Sequence, residues 1–166
     1  MKYQIVALNS GLDKKNFDCG NEQLNNYLHK QAGQDVKRKL CAVSAIIDNN
    51  RVIGYYTLSN TSIAREAIPE ELRKKMPPSY YNLPATLLGR LAIDLQYKGQ
   101  GLGEYLLIDA LKKSFTASVE YIGSMAVVVD PIDEAATNFY SKYDFIKLPD
   151  SGKMFLPMQT VAQLFT

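Results

Sequence analysis

Three glycines fall at alternate positions in Gln96-Tyr97-Lys98-Gly99-Gln100-Gly101-Leu102-Gly103, between an apolar run, Thr86 to Asp94, and an amphipathic stretch reaching about Phe115. A strand that hands a glycine-rich turn to a helix N-terminus makes an anion site. Glycines let successive N–H groups converge without Cβ interference, and the helix dipole favours negative charge there. Residues 98–103 are therefore expected to hold a phosphorylated ligand, although Gly103, furthest into the helix, also suits close packing.

Other residues offer chemistry with less definition. Arg90 interrupts an apolar strand; it either pairs with Asp94, which shares its strand face, or meets a ligand. His29 is the sole histidine and reads as a surface residue of the first helix rather than a base. Tyr140 shares a helical face with Ala136, Phe139 and Tyr143, so periodicity alone makes it core. Cys19 and Cys41 are too few and too casually spaced for a disulfide framework or a zinc site, so no metal is expected and a reducing cytoplasm is the default compartment. Two basic triplets, Lys37-Arg38-Lys39 and Arg73-Lys74-Lys75, are either solvated faces or contacts for a polyanion.

The elements that must position these groups follow from periodicity. Tyr3 to Leu8 is a strand, and Asn21 to Gln34 a helix with Gly33 near its end. Leu40 to Ile47 and Arg51 to Leu58 are strands joined by the turn Asp48-Asn49-Asn50. Residues 62–84 hold several prolines around a short charged helix, Glu70 to Lys75, and form an excursion of the kind that carries binding loops. After the glycine-rich turn and its helix, Tyr121 to Val129 is an apolar strand buried on both faces. Asp130-Pro131-Ile132-Asp133 offers an N-cap, a proline at the first helical position and an early acid for a helix to Tyr143. Phe145–Leu148 and Lys153–Leu156 pair, and a short helix ends at Leu164-Phe165. This order implies an α/β fold, a mixed sheet with helices on both faces.

At 166 residues, with 46% hydrophobic and 22% charged residues and a net charge of +2, the chain is expected to be one globular domain, 1–166. No apolar run is long enough for a bilayer and no signal peptide is expected at the N-terminus, so no membrane partner is expected.

Glycine spacing narrows the anion site. A P-loop needs Gly-Lys-Ser/Thr, and Gly103-Glu104-Tyr105 supplies neither the lysine nor a serine or threonine. A dinucleotide fingerprint wants GxGxxG, whereas Gly99, Gly101 and Gly103 fall as GxGxG. The remaining pattern, Gln-x-x-Gly-x-Gly after an apolar strand, resembles the pyrophosphate loop of the GNAT superfamily of N-acetyltransferases. Asn138-Phe139-Tyr140, on a helix after the next strand, extends that resemblance. Phe17-Asp18-Cys19-Gly20, Leu24-Asn25 with Tyr27-Leu28, Gly54-Tyr55-Tyr56-Thr57-Leu58-Ser59, Leu88-Gly89-Arg90-Leu91-Ala92-Ile93-Asp94 and Phe155-Leu156-Pro157 also occur in order. Over nearly the whole chain it resembles the GNAT toxins of bacterial toxin–antitoxin modules. Asp144 stands where those toxins usually have glycine before a phenylalanine; aspartate tolerates a left-handed cap, so the turn is expected to persist.

The resemblance implies a GNAT fold, with a mixed, mostly antiparallel sheet, and an acetyl-CoA-dependent N-acetyltransferase that caps the α-amine of aminoacyl-tRNA. In the runner-up reading the acceptor is a small-molecule or protein amine. It implies that Lys98, Gly99, Gln100, Gly101, Leu102 and Gly103 bind the pyrophosphate, that Leu91, Ala92 and Ile93 pair with the pantetheine arm, and that Asn138 also contacts the cofactor. Tyr140 would protonate the departing thiolate, and Arg90 would meet the acceptor end. A ribbon-helix-helix antitoxin and a homodimer are implied as well, and no dedicated base for the amine is expected.

Overall fold

The computed structural model describes residues 2–166. Seven strands form: β1 (Gln4–Ala7), β2 (Ala42–Asp48), β3 (Arg51–Ala64), β4 (Asn82–Ile93), β5 (Ala126–Val129), β6 (Ile146–Lys147) and β7 (Met154–Pro157). They build one mixed sheet in the order β1-β2-β3-β4-β5-β7-β6. β4 and β5 run parallel, while β1–β2, β2–β3, β5–β7 and β6–β7 are antiparallel. The chain gathers into two compact units: Met1–Ser59 with Leu88–Ala110, and Asn60–Leu87 with Leu111–Thr166.

In the first unit the β2–β3 hairpin turns at Asn49 and Asn50, with φ of 49° and 75°. Two positive φ angles make a mirror-image turn whose twist matches that of the strands, and asparagine tolerates it. Asn21 caps the first helix, its side chain accepting from the Leu24 N–H at 3.0 Å. The helical stretch then runs further than the sequence predicts. α1 (Glu22–Asn26) passes through a π-helical segment, Tyr27–Gln31, into α2 (Ala32–Lys37). Gly33 is thus interior, and the stop falls at Lys39, φ 62°. An interior glycine costs about 1 kcal/mol. Burial of Leu28 and Ala32, both fully covered, and of Val36 against the same core outweighs that cost.

Gly54 sits at the tightest point of this unit. A Cβ there would stand 2.7 Å from Ile93 Cδ1, 2.8 Å from Ile46 Cγ2 and 3.0 Å from the Ala92 carbonyl. Its bareness lets β3 lie close against the end of β4.

The second unit packs Ile63, Ile68, Leu83, Val128, Leu148 and Phe155. All four residues of β5 are buried, as expected of a central strand. That strand is shorter than its apolar run. α4 (Leu102–Glu120) extends past Phe115, and the Tyr121 and Ile122 N–H groups both donate to the Ala117 carbonyl as its last turn closes. Tyr121 and Ile122 are then 80% and 58% exposed, so hydrophobicity without a facing surface made no strand there. The excursion is also shorter than expected. β3 and β4 extend into it, anchored by buried Ile63 and Leu83, and leave a connection holding a 3-10 turn, Arg65–Ala67, and α3 (Glu70–Arg73).

One cap is corrected. The residue that opens α5 (Glu134–Ser141) is Asp133, accepting from the Ala136 N–H at 2.8 Å, so Asp130 and Pro131 lie outside the helix. The expected left-handed turn after α5 is present at Asp144, φ 69°. α6 (Met158–Gln163) closes the chain, and Phe165 beyond it stacks on Phe115 at 6.2 Å. Among the described residues no helix is long and apolar enough to cross a membrane.

Candidate active site

The glycine-rich turn is built on a buried aspartate. Asp94, 2% exposed, follows β4, and its N–H donates to the Ile53 carbonyl at 2.8 Å. Its carboxylate accepts from the Asp18 N–H at 3.1 Å and from the Gln96 N–H at 2.9 Å, which caps the 3-10 turn Leu95–Tyr97. Arg51 stands 3.5 Å from the same carboxylate and also donates to Gln96 Oε1 at 3.2 Å. Tyr97 is fixed by its hydroxyl, which donates to Asp48 at 2.8 Å. These contacts hold the start of the loop from several sides while its tip projects beyond them.

The tip has the features of an anion cradle. Gly99 and Gly101 adopt φ of 83° and 76°, a region that L side chains rarely enter. Beyond the adjacent residues, no heavy atom of the described chain lies within 4 Å of the position a Cβ would take at either glycine, so the backbone there is open to a ligand. The Gly101 carbonyl accepts from the Tyr105 N–H at 3.1 Å and opens α4. The N–H groups of the first turn, Leu102, Gly103 and Glu104 among them, have no partner within the helix, and the dipole's positive end adds to them. Gln100 is exposed between the glycines, and Leu102 is buried beneath the turn. Lys98 turns back from the tip, its ammonium donating to the Cys19 carbonyl at 3.3 Å.

Leu91, Ala92 and Ile93 form the end of β4; Ala92 and Ile93 are buried and Leu91 is half-buried. They lie at the point where Gly54 permits close approach, a feature the sequence signalled only as a glycine within an apolar strand.

Arg90 does not pair with Asp94. That carboxylate is already occupied by Arg51 and two backbone donors, and the Arg90 guanidinium lies instead over the Tyr27 ring, 3.5 Å from its centroid. Arg51 as the partner of Asp94, and Tyr27 as the seat of Arg90, were not foreseen.

Tyr140 lies on α5 in the second unit and is 7% exposed, flanked by Phe139 and Phe145, each at 5.2 Å between ring centroids. Burial pushes its phenol well above the ordinary tyrosine range, so it stays protonated at neutral pH. Asn138, two residues earlier on the same helix, is exposed. His29 lies within the π-helical segment, half-buried, with an Nε2 that has no hydrogen-bond partner among the described residues. The basic triplets fall in different units. Arg73 and Lys74 stand 3.7 Å from Glu66 and 3.8 Å from Glu70, whereas Lys37, Arg38 and Lys39 are exposed.

A Mycobacterium tuberculosis protein named tRNA-acetylating toxin is 33% identical over 133 residues, which cover 80% of this chain and 78% of that one. The structure of AtaT complexed with acetyl-methionyl-tRNAfMet superposes with a TM-score of 0.91 at 32% identity, covering 99% of each chain. A tyrosine-to-phenylalanine mutant of AtaT, bound to the C-terminus of the antitoxin AtaR and acetyl-CoA, superposes with a TM-score of 0.85 at 28% identity, covering 100% of this chain and 99% of that one. The model of the acetyltransferase (GNAT) family matches residues 12–145, most of the sequence, and the chain belongs to that family.

Proposed function

We propose that this acetyltransferase transfers the acetyl group of acetyl-CoA to the α-amine of an aminoacyl-tRNA, acting as the translation-blocking toxin of a toxin–antitoxin pair. The observation that carries the reading is the likeness, over 99% of both chains, to AtaT in complex with an aminoacyl-tRNA that bears an acetyl group. Acetyl-CoA, when bound, supplies the acetyl group as a thioester and brings a pyrophosphate that needs an anion site. The open backbone at Gly99 and Gly101 fits that demand.

In this reading the N–H groups of Lys98, Gly99, Gln100, Gly101, Leu102 and Gly103 hold the pyrophosphate. The Lys98 ammonium has donors left beyond the one given to Cys19. Backbone groups of Leu91, Ala92 and Ile93 align the pantetheine arm as an added strand, and Asn138 contributes a further polar contact. An N–H near Ile93 polarises the thioester carbonyl, an oxyanion-hole role worth roughly 3 kcal/mol. Tyr140 gives its proton to the departing sulfur. Burial keeps the phenol protonated at neutral pH, so the proton is in place when the sulfur departs. The amine gives up its proton to water or a backbone carbonyl without a dedicated base, and Arg90 meets the acceptor end. The same proposal takes residues 1–166 as one working domain in a cytoplasmic homodimer, neutralised by a ribbon-helix-helix antitoxin.

The test is incubation of purified protein with acetyl-CoA and charged tRNA, followed by mass spectrometry of the released aminoacyl-adenosine. Acetylated product supports the reading. Transfer to a polyamine or a protein amine, with none to charged tRNA, would move the acceptor to the runner-up class.

A further inference from the structure

The Arg90 guanidinium is the least explained charge near the end of β4. It is half-buried, yet among the described residues no carboxylate pairs with it and no acceptor meets its N–H groups. What holds it is an aromatic column. The guanidinium carbon lies 3.5 Å from the Tyr27 centroid. Beneath, Tyr27 stacks on Tyr55 at 6.3 Å with an 18° tilt, and Phe17 meets Tyr55 edge-on at 5.6 Å.

The column is pinned by hydrogen bonds. Tyr27 donates to Asp35 at 2.7 Å, its hydroxyl touches Cys41 Sγ at 3.2 Å, and Tyr55 donates to the Leu24 carbonyl at 2.7 Å. Tyr27 itself begins the π-helical segment Tyr27–Gln31, a rare local geometry that is frequent at functional sites. Stacking occupies the face of a guanidinium and leaves its N–H edge in plane and free, the arrangement that grips two oxygens of one phosphate.

We propose that Tyr27 is a positioning residue that presents Arg90 as a preset fork for a backbone phosphate of the RNA acceptor. This rests on aminoacyl-tRNA as the acceptor. A lysine could not replace the fork, and an arginine without the ring would have to be ordered by the ligand at the expense of affinity.

The test is a double-variant cycle on the full-length protein, read by fluorescence anisotropy with an uncharged RNA hairpin ending in CCA, at several salt concentrations. Arg90→Ala is expected to weaken binding about tenfold or more and to lower the salt slope by about one counterion. Tyr27→Leu should show a comparable loss, and the double variant no further loss, since the ring acts only through the arginine. Tyr27→Phe, which keeps the ring, should restore most of the affinity. Losses that multiply in the double variant, or a Tyr27→Leu protein with wild-type affinity, would overturn the proposal. If Tyr27→Leu does not fold, Arg90→Lys decides: a loss near that of alanine supports the fork, and wild-type binding overturns it. Coupling in RNA binding without acetylation of charged tRNA would sink the acceptor reading and leave the fork standing. Acetylation without coupling would do the reverse.

Discussion

Gly54→Ala adds one methyl group to the tightest point behind the end of β4. Carbon pairs are comfortable at about 3.5–4.0 Å, whereas the new Cβ would lie 2.7 Å from Ile93 Cδ1, 2.8 Å from Ile46 Cγ2 and 3.0 Å from the Ala92 carbonyl oxygen. Relief needs a movement approaching an ångström. Ile93 can turn its terminal methyl, but Ile46 Cγ2 sits on a branched carbon and the Ala92 carbonyl belongs to the strand. Part of the strain must therefore pass to the backbone of Ala92 and Ile93. Overpacking of this kind costs about 1–3 kcal/mol, and loss of glycine's freedom in the unfolded chain returns roughly 0.4–1 kcal/mol. A net loss of about 1–2 kcal/mol lowers Tm by roughly 2–8 °C in a chain of this size. The larger expected effect is on the cosubstrate, because displacement of a positioning strand by about an ångström can cost on the order of a hundredfold in rate. Calorimetry and steady-state kinetics in acetyl-CoA measure both. Unchanged Tm together with unchanged kcat/KM for acetyl-CoA would refute the claim that Gly54 sets the position of Ala92 and Ile93.

The remaining outcomes address the site more directly. Tyr140→Phe should leave acetyl-CoA binding by calorimetry intact while transfer falls by about a hundredfold or more, and it should relieve growth arrest on induced expression. Gly101→Val forces a branched side chain to φ 76° and fills the open cradle, so acetyl-CoA binding should be lost while circular dichroism still reports a folded protein. Burial raises the phenols of Tyr27, Tyr55, Tyr56 and Tyr140 above their unfolded value. Their contribution to stability is complete below about pH 10 and is lost above it, as the unfolded phenols ionise first. Denaturation midpoints should hold steady through neutral pH and fall in that alkaline range, less steeply in Tyr140→Phe.

Local rules decided much of this protein before any tertiary contact formed. The Asn49-Asn50 turn, the Asn21 cap, the glycine-rich loop and the left-handed cap at Asp144 depend on φ preferences and on side chains reaching their own neighbours, and each is legible in a few residues. The order of strands and helices, and the resemblance carried by residues 96–101, are of the same kind. Tertiary structure decided wherever an outcome depended on what stands opposite. Tyr121 and Ile122 are as apolar as a strand requires but face no partner, so they ended a helix instead. Gly33 should have stopped α2, but burial of Leu28, Ala32 and Val36 carried the helix past it. Asp94 was close enough in sequence to hold Arg90, yet Arg51, remote in sequence, holds it in space and leaves Arg90 on Tyr27. Spacing along a chain fixes which groups share a face. Competition for a buried carboxylate, or for an aromatic surface, is settled only when distant segments arrive together.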